Sequence, residues 1–325
     1  MRPGGLLSSR RTRRATGLLL GFAADALLGD PARWHPVAGF GVASSRLERR
    51  CYADSYAAGA GYTALTAGTV VVAGAALSRL VRHRPVLDTL TVAAATWVVL
   101  GGASLAGEGI ALADSLDSAD IPAARARIPH LCARDPESLD ADGMARAGCE
   151  SIAENTSDAV VAPLFWGAVA GLPGLLGYRA INTLDAMVGY RSARYSRFGW
   201  SAARTDDLVN LAPARLTAAL TVGLAPLVGG SPSAALRAWR HDSGGHPSPN
   251  AGPVEASAAG ALGITLGGTT RYAYGVEERP RLGTGRSPVP ADLRRTVRLS
   301  RLLGLASALI AAGAAWALPQ KRALP

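Results

Sequence analysis

Lysine is almost missing from this chain. Only Lys321 interrupts a basic complement that is otherwise all arginine, and the net charge is still +10 at pH 7. A phosphate-binding G-x-x-x-x-G-K-[ST] loop needs a lysine in its motif, so a P-loop is excluded. No G-x-S-x-G, H-E-x-x-H or kinase signature occurs either. A nucleotide site in this chain must therefore be built from carboxylates, amides and arginine. Cysteine is scarce: Cys51, Cys132 and Cys149 show no C-x-x-C spacing, which argues against a disulfide framework or a zinc site and leaves them as packing residues. Aromatics are 6% of the chain. There is no internal repeat and no strand-like alternation long enough for a sheet. The arginines are spread among loops beside apolar stretches, with no basic helix or nucleic-acid module. They exclude nucleic acid as a partner and suit anionic lipid or phosphorylated substrates instead.

Apolar residues are abundant, at 49%, and mean hydropathy is positive at +0.17. Alanine and glycine carry much of that fraction, as closely packed membrane helices require. Five uncharged stretches approach or exceed the length that crosses a bilayer: 57–77, 89–107, 159–178, 216–236 and 302–320. A weaker one, 15–28, is interrupted by Asp25. Buried helices of a soluble protein explain one or two such stretches; five predict an all-α, multi-pass integral membrane protein. The expected location is the cell (inner or plasma) membrane, with the bilayer itself as a partner. Five arginines precede residue 15, and a basic head of this kind holds the N-terminus on the cytoplasmic side.

The pattern reads as a single helical membrane domain over 1–325. It has a basic tail at 1–14 and a short helix before the stiff loop from Gly29 through His35-Pro36. A helical hairpin follows at 57–112. Residues 113–149 form a soluble amphipathic segment, with Asp114, Asp117 and Asp120 set against Arg125, Arg127 and Arg134. The site-bearing region is 150–270, and a C-terminal helix occupies 302–320.

The site-bearing region opens on Glu150-Ser-Ile-Ala-Glu-Asn-Thr-Ser-Asp158, directly before twenty uncharged residues. Charges beside a segment able to enter a bilayer are costly and mark a site. On a helix, Glu150, Glu154 and Asp158 share one face with Asn155 alongside. Three carboxylates at that spacing repel and call for Mg²⁺, arginine or both. A second face carries Asn182 and Asp185, followed by Arg191, Arg194 and Arg197, which serve equally for phosphate binding or positive-inside anchoring. A third has Arg204, Asp207 and Asn210, with Asp206 beside them. His35 lies in a forced turn between Trp34 and Pro36. His246-Pro-Ser-Pro-Asn250 is similarly stiff and fixes Ser248 and Asn250 in direction. Gly263, Gly267 and Gly268 permit close backbone approach or tight helix packing.

Taken together these motifs resemble the adenosylcobinamide-phosphate synthase family, the CobD/CbiB cobalamin biosynthesis proteins. The likeness runs in order from about 17 to 285. It includes the 150–158 block, Ala162-Pro-Leu-Phe-Trp166, residues 178–190, Phe198-Gly-Trp200, Ala203-Arg-Thr-Asp-Asp207, Pro213-Ala-Arg215 and His246 to Gly252. After Gly252 the family often has Trp-Pro-Glu; here Pro253-Val-Glu255 keeps the glutamate. The resemblance implies a ligase of late vitamin B12 assembly. It would join the free propionate of adenosylcobyric acid to (R)-1-aminopropan-2-ol phosphate, or to the unphosphorylated amino alcohol, with ATP and Mg²⁺ as expected cofactors. Glu154, Asp158, Asp206 and Asp207 are the expected catalytic residues, and Glu154, Asp158 and Asp207 the expected metal ligands. Substrate-binding roles fall to His35, Asn155, Asn182, Asp185, Arg204, Arg215, His246, Ser248 and Asn250. Other corrinoid-assembly enzymes are expected as membrane partners. Two rivals fit less well: a membrane sensor akin to inner-membrane β-lactamase regulators, and an ion-coupled transporter, whose acids belong mid-span rather than beside the spans.

Parity adds a structural expectation. If 159–178 and 216–236 both crossed simply, residues 182–210 would face the opposite side from the 150–158 and 246–252 motifs. One active site cannot be divided by a bilayer. The stretch 159–178, which contains Pro163, Gly171, Pro173 and Gly174, is therefore expected to be broken, re-entrant or enclosed in protein, with the site on the cytoplasmic side.

Overall fold

The computed structural model describes residues 9–31, 35–190, 192–272 and 275–318. Trp34, Arg191, Lys321 and most of the basic tail lie outside them. The described chain is mainly helical and groups into two compact units. One comprises 1–101, 162–209 and 307–325; the other comprises 102–161 and 210–306.

The first unit begins with α1 (Arg10–Leu28), capped by Ser9, whose hydroxyl accepts the Thr12 N–H at 3.1 Å. Then come α2 (Pro36–Cys51), α3 (Tyr56–Val81) and α4 (Pro85–Val99). α3 and α4 are joined at residues 82–84, where Pro85 starts the new helix, but this second arm ends at Val99, short of the 112 expected for the hairpin. Glycine sets the packing of α1 on α4. A Cβ at Gly17 would come within 2.7 Å of Val92, and one at Gly21 within 2.4 Å of Thr96. α8 (Ala162–Val188), the start of α9 (Trp200–Leu224) and the end of the last helix, from Ser307, complete this unit. Its core centres on fully buried Phe198, whose ring lies 5.2 Å from Tyr52 and 5.1 Å from Tyr62.

The second unit contains α5 (Gly102–Asp117), α6 (Ile121–Leu131), α7 (Ala141–Thr156), a π-helical turn at Ser157–Val161, α10 (Pro232–Asp242), α11 (Ala251–Leu262) and much of α12 (Pro290–Ala317). Leu112, Ile128, Met144, Ile152, Leu293 and Val297 form its core. Asp120 and Asp140 are spent as N-caps of α6 and α7. Asp114 and Asp117 both pair with Arg294, a partner the sequence grouping did not identify.

Five helical runs are long and apolar enough to cross a membrane: Tyr56–Val81, Pro85–Asp117, Ala141–Val188, Trp200–Val228 and Pro290–Ala317. The chain is a multi-pass, all-α membrane protein in architecture. Only 22% of the most apolar window of α3 is buried, and Val72 and Leu80 are 68% and 78% exposed, so that helix presents an apolar face outward. The window in Ala141–Val188 is 56% buried, the most enclosed of the five. Its helix also breaks, at Gly171 (φ 67°, ψ −152°), within the stretch expected to be irregular.

Two sequence expectations need correction. The apolar stretch 216–236 is not one helix: the chain turns at left-handed Gly229 (φ 70°), and the helical run lies upstream at Trp200–Val228. A β-hairpin also exists, β1 (Leu266–Tyr272) against β2 (Gly275–Leu282), with a bulge between Leu266 and Gly268. Its glycines and Pro280 hide the alternation by which strands are recognised.

Candidate active site

In the second unit, α7 turns Glu150 inward, where only 4% of the residue is exposed. The charge is answered by arginine: Arg134, 7% exposed, pairs directly with Oε2. The other oxygen, Oε1, accepts the Gly267 N–H at 2.7 Å. That contact requires the bulge. Gly267 has φ +80°, and a Cβ there would stand 2.0 Å from the Pro280 carbonyl oxygen.

Glu154 follows one helical turn later, half-buried. Beyond it the π turn widens the spiral, so Asp158 does not continue the i, i+4 ladder of Glu150 and Glu154. Asn155 is oriented from within α7: its amide donates to the Ser151 carbonyl at 2.9 Å and the Ser151 hydroxyl at 3.1 Å.

The other wall of this group is α11. Every residue from Ala251 to Leu262 is buried, and Glu255, 2% exposed, is the helix's only ionisable side chain. Its Oε1 stands 3.8 Å from Nε2 of His246, whose side chain is 3% exposed. That nitrogen is buried without a hydrogen-bond partner among the described residues. Nδ1 of His246 stands 3.1 Å from the Ser248 N–H and 3.2 Å from the Ser248 carbonyl oxygen, so it accepts from the one or donates to the other according to the ring's tautomer. Burial pushes the Glu255 carboxyl well above the usual range, and the charges of Glu150 and Glu154 push it further; Arg279 and Arg134 oppose the rise. Burial also lowers His246. Burial thus disfavours the charged form of both groups, and at 3.8 Å they are too far apart for a hydrogen bond.

The remaining predicted residues of this unit serve the same loop. Arg215 donates to Asn250 Oδ1 at 2.8 Å. The Ser248 hydroxyl accepts the Asn250 and Ala251 N–H groups at 3.3 and 3.1 Å and so caps α11.

The first unit holds the other predicted residues. Asn182 donates to buried Asp206 at 3.4 Å and accepts from Arg179 at 3.4 Å. Arg204 and Asp207 pair with each other at 3.4 Å, one helical turn apart. Asp185 lies on α8 with its carbonyl accepting the Gly189 N–H at 2.7 Å. Nδ1 of His35 accepts the Val37 N–H at 3.2 Å, so the ring caps α2.

Glu154 and Asp158 belong to one unit and Asp207 to the other. Among the described residues no group of three or more His, Cys, Asp or Glu side chains is disposed to hold a metal ion. In the second unit the built-in counter-charges are arginines, and a carboxyl with a raised pKa, like Glu255, is a poor ligand for a hard cation.

The family described as CobD/Cbib protein matches residues 18–300, a range that contains both polar groups. The chain belongs to that family. It is 54% identical over 307 residues to "Cobalamin biosynthesis protein CobD" of Mycobacterium tuberculosis strain H37Rv, covering 94% of this chain and 97% of the relative. Proteins of the same name from Chromobacterium violaceum and Geobacter metallireducens are 44% and 42% identical, covering 85% of this chain and 88% of each relative. No solved structure matches the chain. The sensor and transporter readings find no support.

Within that family match, the sequence placed Glu150 on the carboxylate face but gave no role to Arg134, Gly267, Glu255 or Arg279. Glu150 was visible as the first acid of the stack, and Glu255 as the last residue of the altered family motif. Arg134 and Gly267 were noted without a link to Glu150, and Arg279 carried no local signal.

Proposed function

We propose that this member of the cobalamin-biosynthesis family is an amide-forming ligase, an adenosylcobinamide-phosphate synthase of the cell membrane with its site on the cytoplasmic side. The propionate of adenosylcobyric acid takes a phosphoryl group from ATP, giving an acyl phosphate and ADP. The amine of aminopropanol or its phosphate attacks the acyl carbon. The carbon–oxygen bond to phosphate breaks, phosphate leaves, and the nitrogen loses a proton as the amide forms.

The observation that carries this reading is Glu255: an ionisable group alone on a wholly buried helix, facing the unpartnered Nε2 of His246. Burying such a group is costly, and enzymes use that cost to tune proton acceptors. In this reading the His246–Glu255 pair receives the amine's proton. Arg215 and Asn250 hold an anionic substrate group, and Asn155 orients the carboxylate. A Mg²⁺ ion held with ATP would ask the protein for only one or two carboxylates. Glu154 and Asp158 are the proposed contributors in the second unit. The ion supplies charge neutralisation on the phosphates.

The test is amide synthesis by the purified protein in detergent, from adenosylcobyric acid, ATP, Mg²⁺ and each amino alcohol in turn, followed by mass spectrometry. Product with one of the amines is expected. Absence of amide with both would sink the reading.

A further inference from the structure

A cluster of arginines in the first unit belongs to none of the groups above. It surrounds a concavity of about 250 Å³ where the start of α1, the end of α3, the start of α4 and the break in α8 meet. Arg10, Arg14, Arg79 and Arg82 line it, together with Ser78, and Asp88 is the only acid in the lining. Asp88 is already neutralised, because Arg13 pairs with it at 3.2 Å. Arg13 is also fixed by the Arg82 carbonyl at 2.9 Å. The four lining arginines have no carboxylate partner among the described residues. Arg10 is directed by the Ser78 hydroxyl, at 3.1 Å.

Positive-inside anchoring accounts for arginines on exposed helix ends, and Arg79 and Arg82 alone need no more than that. It does not account for Arg14. This guanidinium is drawn into the helix break, where Nη1 donates to the Ala168 carbonyl at 2.9 Å. Residue 171 makes room for it: a Cβ on Gly171 would lie 2.7 Å from Nη2, and the backbone there has φ +67°. Leu172 and Pro173, in the first turn of the second half of α8, form another part of the wall, and the positive end of that half-helix adds to the field. A backbone break and a half-buried guanidinium are thus arranged around a positively charged hollow whose one acid, Asp88, is paired with Arg13.

We propose that this hollow binds a phosphate group, as a monoester, a diester or the free ion. Arginine forks match phosphate oxygens, and several converging forks select phosphate over a single-charge halide. Two sources carry that chemistry, an anionic lipid headgroup and a soluble phosphate compound. The proposal does not depend on the amide-ligase reading.

The test uses the full-length protein in neutral detergent. Thermal stability is followed against inorganic phosphate, with chloride at matched ionic strength as reference. In parallel, protein in nanodiscs of phosphatidylcholine is compared with protein in nanodiscs containing phosphatidylglycerol. Arg79→Gln and Arg82→Gln, both at exposed positions, test the site without disturbing the core, and Arg14→Gln tests it at the break. Arg240→Gln, on an exposed position of α10, is the control. Each site substitution is expected to weaken binding about tenfold, the loss of one charge-assisted contact, and Arg240→Gln to leave it unchanged. A response to inorganic phosphate assigns the site to a soluble compound; a response confined to the anionic nanodiscs assigns it to lipid. If neither ligand stabilises the protein more than its reference, or if Arg240→Gln weakens binding as much as Arg79→Gln and Arg82→Gln, the proposal is wrong.

Discussion

The Glu150 carboxylate accepts the Gly267 N–H at 2.7 Å, so a buried acid of α7 fixes the bulge of a hairpin 117 residues further along the chain. Because Arg134 holds the other oxygen, one carboxylate joins three separate segments of the second unit. The neighbouring Glu154 and Glu255 have their electrostatic surroundings set by this arrangement.

Gly267→Ala is expected to undo it. The left-handed backbone alone costs an L-residue about 1–2 kcal/mol, and the added Cβ would meet the Pro280 carbonyl at 2.0 Å. The melting temperature in detergent should drop by several degrees and amide synthesis should fall with it. An unchanged melting curve would contradict the importance given to the bulge.

Removing one member of the Arg134–Glu150 pair leaves a buried charge uncompensated. Glu150→Gln and Arg134→Gln should each destabilise by about 3–5 kcal/mol, while the double substitution costs less than the sum. A double-mutant cycle measured by denaturant or thermal unfolding reads the coupling. Strict additivity would show that the two side chains do not act as a pair.

The raised pKa of Glu255 predicts a pH dependence with a definite sign. Between the unfolded value near 4.5 and the higher folded value, the native state keeps a proton that the unfolded chain has released. Native stability therefore declines as pH rises through that window. Glu255→Gln stays neutral, so it should exceed the native protein increasingly toward alkaline pH. The gain is about 1.4 kcal/mol for each unit by which the folded pKa is raised. His246 works in the opposite sense, its lowered pKa removing stability as pH falls below 6.5, so the two proteins are compared above that pH. A stability difference that is flat with pH would show that Glu255 is ionised throughout. In the amide assay the same substitution should lower kcat more than it changes KM and alter the pH–rate profile, as loss of a proton acceptor does.

Glu154→Gln and Asp207→Asn address the carboxylates first picked out in the sequence. Each is expected to reduce amide synthesis about 100-fold or more if its charge acts in the reaction. Melting temperature should stay near the native value, because neither residue is fully buried. Full activity in either variant would remove that residue from the machinery.

The legible part of this molecule was its periodic and local part. The apolar stretches gave the membrane helices because a bilayer imposes a length. Gly171 and Pro173 announced an irregular helix because both resist helical continuation. Glu150 and Glu154 were seen as one face because a helix repeats. The π turn was not seen, since no residue type encodes it, and so Asp158 was assigned to a ladder it does not continue. Arg134 and Arg279 reach Glu150 and Glu255 only through tertiary folding, and no spacing rule links residues so far apart. His35 and Ser248 looked like ligand groups because polar side chains beside proline are stiff; both instead accept backbone N–H groups at helix starts, for which the same stiffness serves.

α11 has a consequence for how this protein is made. At twelve residues it is about 18 Å long, too short to span a bilayer. It cannot enter the membrane as a helix of its own accord, and it carries a glutamate that lipid would reject. Its burial on all sides must follow the insertion of the longer helices and depend on their surfaces being in place. The sequestering of Glu255 is therefore tied to the folding of the surfaces around α11 rather than to the helix itself: a chain that fails to close around α11 leaves a carboxyl and an apolar core exposed together.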